Sequence, residues 1–242
     1  MSGATDLLES LRVKIFADGA DLTAIRELCA NPVVKGFTTN PTMMRGAGVT
    51  DYERFARSAL EAIGKRPISF EVFSDDEREM ERQARKIASW GENVYVKIPV
   101  TNTLGASTGR LIQRLAGDRI KVNVTALMTA SQVRHVRDAL GPFAPAYISL
   151  FAGRVADTGT DPVPIVREAV ALLEAHDNIE LIWASPRELL NIFHAESAGC
   201  HIITITADLL GKLPLIGKSL DEFSLDTVRM FHRDAAAANL SL

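Results

Sequence analysis

Eight short runs rich in β-branched and aromatic residues recur along this 242-residue chain, with helix-like segments between them. They lie at residues 13–17 (VKIFA), 33–38 (VVKGFT), 67–73 (PISFEVF), 93–99 (NVYVKIP), 120–125 (IKVNVT), 145–150 (PAYISL), 179–184 (IELIWA) and 201–206 (HIITIT). Runs of this length and composition read as strands. Strands that alternate with helices call for a parallel sheet, because parallel neighbours need a long crossover. Eight repeats of that unit in one chain of this length fit an α/β (β/α)₈ barrel. A doubly wound sheet is the competitor, and it usually opens with a glycine-rich phosphate loop after its first strand. Here that turn reads Ala17-Asp18-Gly19-Ala20-Asp21, and Gly46-Ala47-Gly48 is a lone GxG. We expect one barrel domain over residues 1–242.

The intervening segments carry helical periodicity at 51–60, 75–90, 164–175 and 186–198. Acidic residues crowd the start of the second, where the helix dipole favours them. The third and fourth each place a proline in the expected first turn. A further helix, near 225–236, exceeds what a barrel ring needs, and it is expected to pack on a neighbouring subunit in a homo-oligomer.

Composition narrows the class of partner. A net charge of -3 offers no basic field for nucleic acid or a membrane surface. No apolar stretch is long enough to span a bilayer, and the N-terminus shows no secretory leader. Two cysteines, Cys29 and Cys200, argue against a disulfide framework and for a cytoplasmic location. The five histidines show neither H-x-H nor H-E-x-x-H spacing, so no metal and no cofactor is expected.

In such a barrel, chemistry gathers at the C-terminal ends of the strands. The polar residues falling there are Asp18, Thr38, Thr39, Asn40, Glu71, Lys97, Asn123, Thr125, Ser149, Arg154 and Ser185. Alternation supports a shared interior, since side chains switch faces with period two. Ser69, Glu71 and Phe73 share one face of the third run, Tyr95 and Lys97 of the fourth, and Asn123 and Thr125 of the fifth. Lys97 is the most telling of these. A charge leaving water without a partner is costly, and a lysine so placed gives up its proton to become a nucleophilic amine. The alternative is an edge lysine that reaches solvent. Asp18 has a plain alternative as a helix cap, Asn40 as a turn residue, and Glu71 as a structural partner of Lys97.

Phe37-Thr38-Thr39-Asn40-Pro41, Val96-Lys97-Ile98-Pro99-Val100 and the stretch Ser149 to Arg154, in this order, resemble the transaldolase family, whose small members include the fructose-6-phosphate aldolases. The resemblance runs from about Phe16 to Gly217. It implies a lysine Schiff base and transfer of a dihydroxyacetone unit from a ketose phosphate to an aldehyde. Position by position, it implies Lys97 as the imine-forming amine and Asp18 as the acid/base at the donor C4 hydroxyl. Glu71 and Thr125 would hold a water that relays protons and keeps the Glu71 carboxylate off the amine. Asn40 and Asn123 would bind hydroxyls of the three-carbon unit. Ser149 and Arg154 would serve the phosphate, with Thr39, Phe151 and Ser185 also lining the substrate site. Glu71 and Phe151 match transaldolases, where the aldolase members carry Gln and Tyr. The sequence departs from the family at Thr101-Asn102-Thr103-Leu104-Gly105 and at Pro186-Arg187-Glu188, near the phosphate end, where Arg187 is a candidate second cation. A different Schiff-base aldolase, and a catalytically silent sugar-phosphate-binding barrel, stand as the other readings.

Overall fold

The computed structural model describes residues 7–238, and the expectation drawn from the N-terminal residues 1–6 lies outside them. Eight strands, Lys14–Asp18 (β1), Val34–Thr38 (β2), Ile68–Glu71 (β3), Val94–Pro99 (β4), Val122–Leu127 (β5), Ala146–Leu150 (β6), Ile179–Trp183 (β7) and Ile202–Thr206 (β8), follow one another around a closed barrel. Each neighbouring pair is parallel, including β1 with β8. The alternation expected from sequence sets the two faces. Ile68, Phe70, Val94, Val96, Ile98, Val122 and Val124 point outward into the core between barrel and helices. A second, smaller cluster fills the barrel floor: Phe16, Tyr95, Tyr147, Ile182 and Ile202. Tyr95 and Tyr147 stack at 3.9 Å between centroids, and Phe16 meets Tyr147 edge-on. Gly36 leaves room for this plug, because a Cβ there would lie 2.6 Å from the Phe16 ring. The interior is therefore closed below, and its polar residues sit above an apolar floor.

The helices start where their capping chemistry dictates. Asp21, not Asp18, caps Leu22–Cys29 by accepting from the Thr23 and Ala24 amides, which leaves the Asp18 side chain to the barrel mouth. Asp51 and Asp76 cap Tyr52–Ile63 and Glu77–Ala88. The third expected helix begins earlier than its periodicity suggests, at Pro162, because Asp161 supplies the cap. The fourth begins later, at Leu190, and Pro186 lies outside it, in the loop after β7. The C-terminal helix runs Leu220–Ala237, with Asp221 and Glu222 in its first turn and no buried residue. Among the described residues, no helix is long and apolar enough to cross a membrane.

Candidate active site

A cleft of about 510 Å³ opens at the C-terminal ends of the strands. Asp18, Asn40, Glu71, Lys97, Thr125, Ser149, Phe151, Arg154 and Ser185 all line it. These residues come from seven successive strands or the loops after them, and only a closed barrel brings such distant positions to one wall.

Lys97 is 6% exposed and lines the cleft. Its Nζ lies 3.0 Å from Glu71 Oε2 and donates to the Thr39 carbonyl at 3.0 Å. The water gap expected between Lys97 and Glu71 is replaced by direct contact. The reason is register: Glu71 pairs with Lys97 across β3 and β4, so the two side chains leave adjacent strands on the same face. Tyr52 steadies that strand end by donating its hydroxyl to the Glu71 carbonyl oxygen at 2.9 Å.

Asp18 is partly buried on β1 and accepts from Thr38 Oγ1 at 2.7 Å. Thr38 Oγ1 in turn bonds Thr204 Oγ1 at 2.6 Å. Burial pushes the Asp18 carboxyl above its ordinary range. Lys97 and the Thr38 hydroxyl oppose that shift, and Glu71 reinforces it. A carboxyl held in this way keeps its proton to higher pH than an exposed aspartate does.

Two expected site residues, Thr39 and Asn123, and one residue expected on the inner face of the barrel, Phe73, are placed differently from the expectation. Thr39 is fully buried with its side chain turned outward, donating to the Ser69 carbonyl at 2.9 Å; it meets the site through its backbone oxygen only. The inward partner on β2 is Thr38, which period-two alternation from Gly36 would have identified. Asn123 shares Lys97's register but lies beneath the cleft. Its amide donates to Ser69 Oγ at 2.9 Å and accepts from Ser149 Oγ at 2.8 Å. Phe73 lies past the end of β3, 66% exposed, against Tyr52 rather than inside the barrel. Asn40 Oδ1 caps Pro41–Gly46 by accepting from the Met43 amide, and the residue lines the cleft. Thr125 Oγ1 is buried with no hydrogen-bond partner among the described residues.

The far side of the cleft is cationic. Arg154, on the short helix Ala152–Ala156, is exposed and stands 5.9 Å over the Phe151 ring. Arg187, which the sequence suggested only as a candidate, also lines the cleft. Its Nη1 donates to Ser185 Oγ at 3.1 Å and its Nε to Asp157 Oδ1 at 2.8 Å.

The family model described as Transaldolase/Fructose-6-phosphate aldolase matches residues 15–242. This chain belongs to that family. A probable transaldolase of Streptococcus equi subsp. zooepidemicus (strain MGCS10565) is 35% identical over 88% of this chain and 97% of that protein. One of Thermoanaerobacter sp. (strain X514) is 33% identical over 88% and 96%. One of Methanococcus maripaludis is 32% identical over 88% and 97%. Among solved structures, a crystal form of 2,3-dimethylmalate lyase superposes with a TM-score of 0.57 at 14% identity, covering 98% of this chain and 85% of that one. A structure titled native KDPGal gives 0.55 at 14%, covering 83% and 84%. At that identity these two bear on the barrel fold alone. The protein is an enzyme of the transaldolase type, working through the Schiff-base chemistry general to its family on sugar phosphates. Both of the departures from the family pattern fall on loops at the barrel mouth. Thr103 is tied to Asp75 at 2.6 Å, and Pro186-Arg187 forms part of the cleft wall.

Proposed function

We propose that Lys97 forms the imine and that the surrounding residues divide the work as follows. The Lys97 amine attacks the ketone carbon of the donor, and the adjacent Glu71 carboxylate accepts and returns the protons exchanged as water leaves. Thr125 Oγ1, with no partner among the described residues, bonds the water or hydroxyl that links these groups. Asp18 takes the proton from the C4 hydroxyl as the C3–C4 bond breaks. The bond's electrons pass into the protonated imine, giving an enamine, and the aldehyde product departs. An acceptor aldehyde then reverses these steps. Asn40 and Ser149 hold hydroxyls of the three-carbon unit, with Asn123 bracing Ser149 from below. Arg154, Arg187 and Ser185 hold the phosphate, because a guanidinium fork matches its oxygens. The observation that carries this reading is a buried amine, 3.0 Å from Glu71, on the wall of a cleft that also holds Asp18, whose carboxyl burial raises.

Phe151 supports transfer over release. A phenyl ring at that point has no hydroxyl with which to help water protonate the enamine. The test pairs fructose 6-phosphate as donor with a panel of aldehyde acceptors and scores transfer against free dihydroxyacetone. The wild-type protein is expected to favour transfer, and Phe151→Tyr to raise release relative to transfer about tenfold or less. An unmoved ratio would remove the argument from Phe151. We further propose a cytoplasmic homo-oligomer built from one barrel per chain. Its support is the apolar stripe Leu220, Phe223, Val228 and Phe231, exposed along the C-terminal helix.

A further inference from the structure

Two segments that are remote in sequence interlock beside the cationic end of the cleft. One is the helix Ala152–Ala156, which carries Arg154 and ends at Asp157. The other is the loop after β7, which carries Ser185 and Arg187. Gly153 makes their approach feasible: a Cβ there would lie 1.5 Å from the Ser185 carbonyl oxygen and 3.5 Å from the Arg187 guanidinium carbon. Ser185 itself holds φ at 60°, a left-handed backbone that costs a non-glycine residue free energy. Across this junction the Asp157 carboxylate grips Arg187 through both Nε and Nη2. The pair is half exposed, with side-chain exposures of 46% and 52%, and such pairs contribute little to stability. Its effect is instead geometric. With Nε and Nη2 taken, the remaining edge, Nη1, points to Ser185 and the cleft.

We infer that Asp157 is a positioning residue that aims Arg187 at the anionic group of the substrate. Arg154 and Arg187 then form a two-guanidinium clamp, and Asp157 fixes the half borne on a loop. The contact also lowers the Asp157 carboxyl and raises the Arg187 guanidinium, so both remain charged as the substrate binds. A fixed fork loses less side-chain freedom on meeting phosphate than a free one. This inference rests on the proposed phosphate end of the cleft and adds the group that orients it.

The experiment compares wild type with Asp157→Ala and Asp157→Glu, using inorganic phosphate as the probe in calorimetric titration. Alongside it, the ratio of kcat/KM on fructose 6-phosphate to that on fructose is measured. Asp157→Ala is expected to weaken phosphate binding and lower that ratio by about tenfold, chiefly through KM, with Asp157→Glu recovering most of the loss. Positioning and bulk charge predict opposite signs. If Asp157 merely offset positive charge, its removal would tighten phosphate. Tighter or unchanged binding in Asp157→Ala overturns the inference, as does a wild-type protein that binds no phosphate. Loss of transfer activity in the wild type would instead count against the functional reading, since phosphate binding is read without turnover.

Discussion

At the scale of single residues, Asp18 makes a prediction with a definite sign. Burial raises its carboxyl above the ordinary range. The folded protein therefore holds that proton to higher pH than the unfolded chain does. Below the unfolded pKa the residue costs nothing; as pH rises through the folded pKa, stability is lost. Asp18→Asn should accordingly raise the melting temperature near neutral pH, and that gain should vanish as pH falls below the ordinary carboxylate range. The same shift places the acidic limb of the wild-type kcat/KM profile above that range. A variant less stable than wild type at neutral pH would contradict the account. Much of this site was legible in the sequence. Polar residues alternating with apolar ones on β3, β4 and β5 identified Glu71, Lys97 and Thr125 as inward-facing. Thr39 was misplaced because the motif was read as a block, without the alternation that turns Thr38 in and Thr39 out. The direct contact between Lys97 and Glu71 depends on the pairing of β3 with β4, which a single strand's pattern does not reveal.

At the scale of elements, the eight strands follow the sequence closely, since their β-branched runs are bounded by polar residues and turns. Helix boundaries were harder, because caps rather than periodicity set them: Asp161 starts one helix early, and the loop bearing Pro186 delays another to Leu190. That loop carries half of the cationic end. Its fit against Ala152–Ala156 depends on Gly153, so Gly153→Ala is the sharpest change at this scale. A methyl group 1.5 Å from the Ser185 carbonyl forces the backbone to move. The expected cost is about 1–3 kcal/mol in stability, together with a raised KM for phosphorylated donors. Thermal melting and steady-state kinetics check both, and a variant matching wild type in each would show that the junction is loose. Nothing in the sequence linked residue 157 to residue 187. They meet because β6 and β7 are neighbours and their following segments share one side of the mouth.

At the scale of the whole molecule, the C-terminal helix presents Leu220, Phe223, Val228 and Phe231 to solvent while burying nothing against its own barrel. The proposed homo-oligomer would cover this stripe, since exposed contiguous apolar faces mark interaction sites. Light scattering should report an oligomer, and Val228→Glu with Phe231→Glu should dissociate it while the barrel stays folded. A monomeric wild type would refute the assembly. The central claim concerns the buried amine, and intact mass reads it directly. With fructose 6-phosphate present, borohydride should add one reduced three-carbon or hexose-phosphate adduct per chain. Peptide mapping should place that adduct at Lys97, and Lys97→Ala should acquire none. No added mass on the wild-type chain, or an adduct retained by Lys97→Ala, would contradict the mechanism.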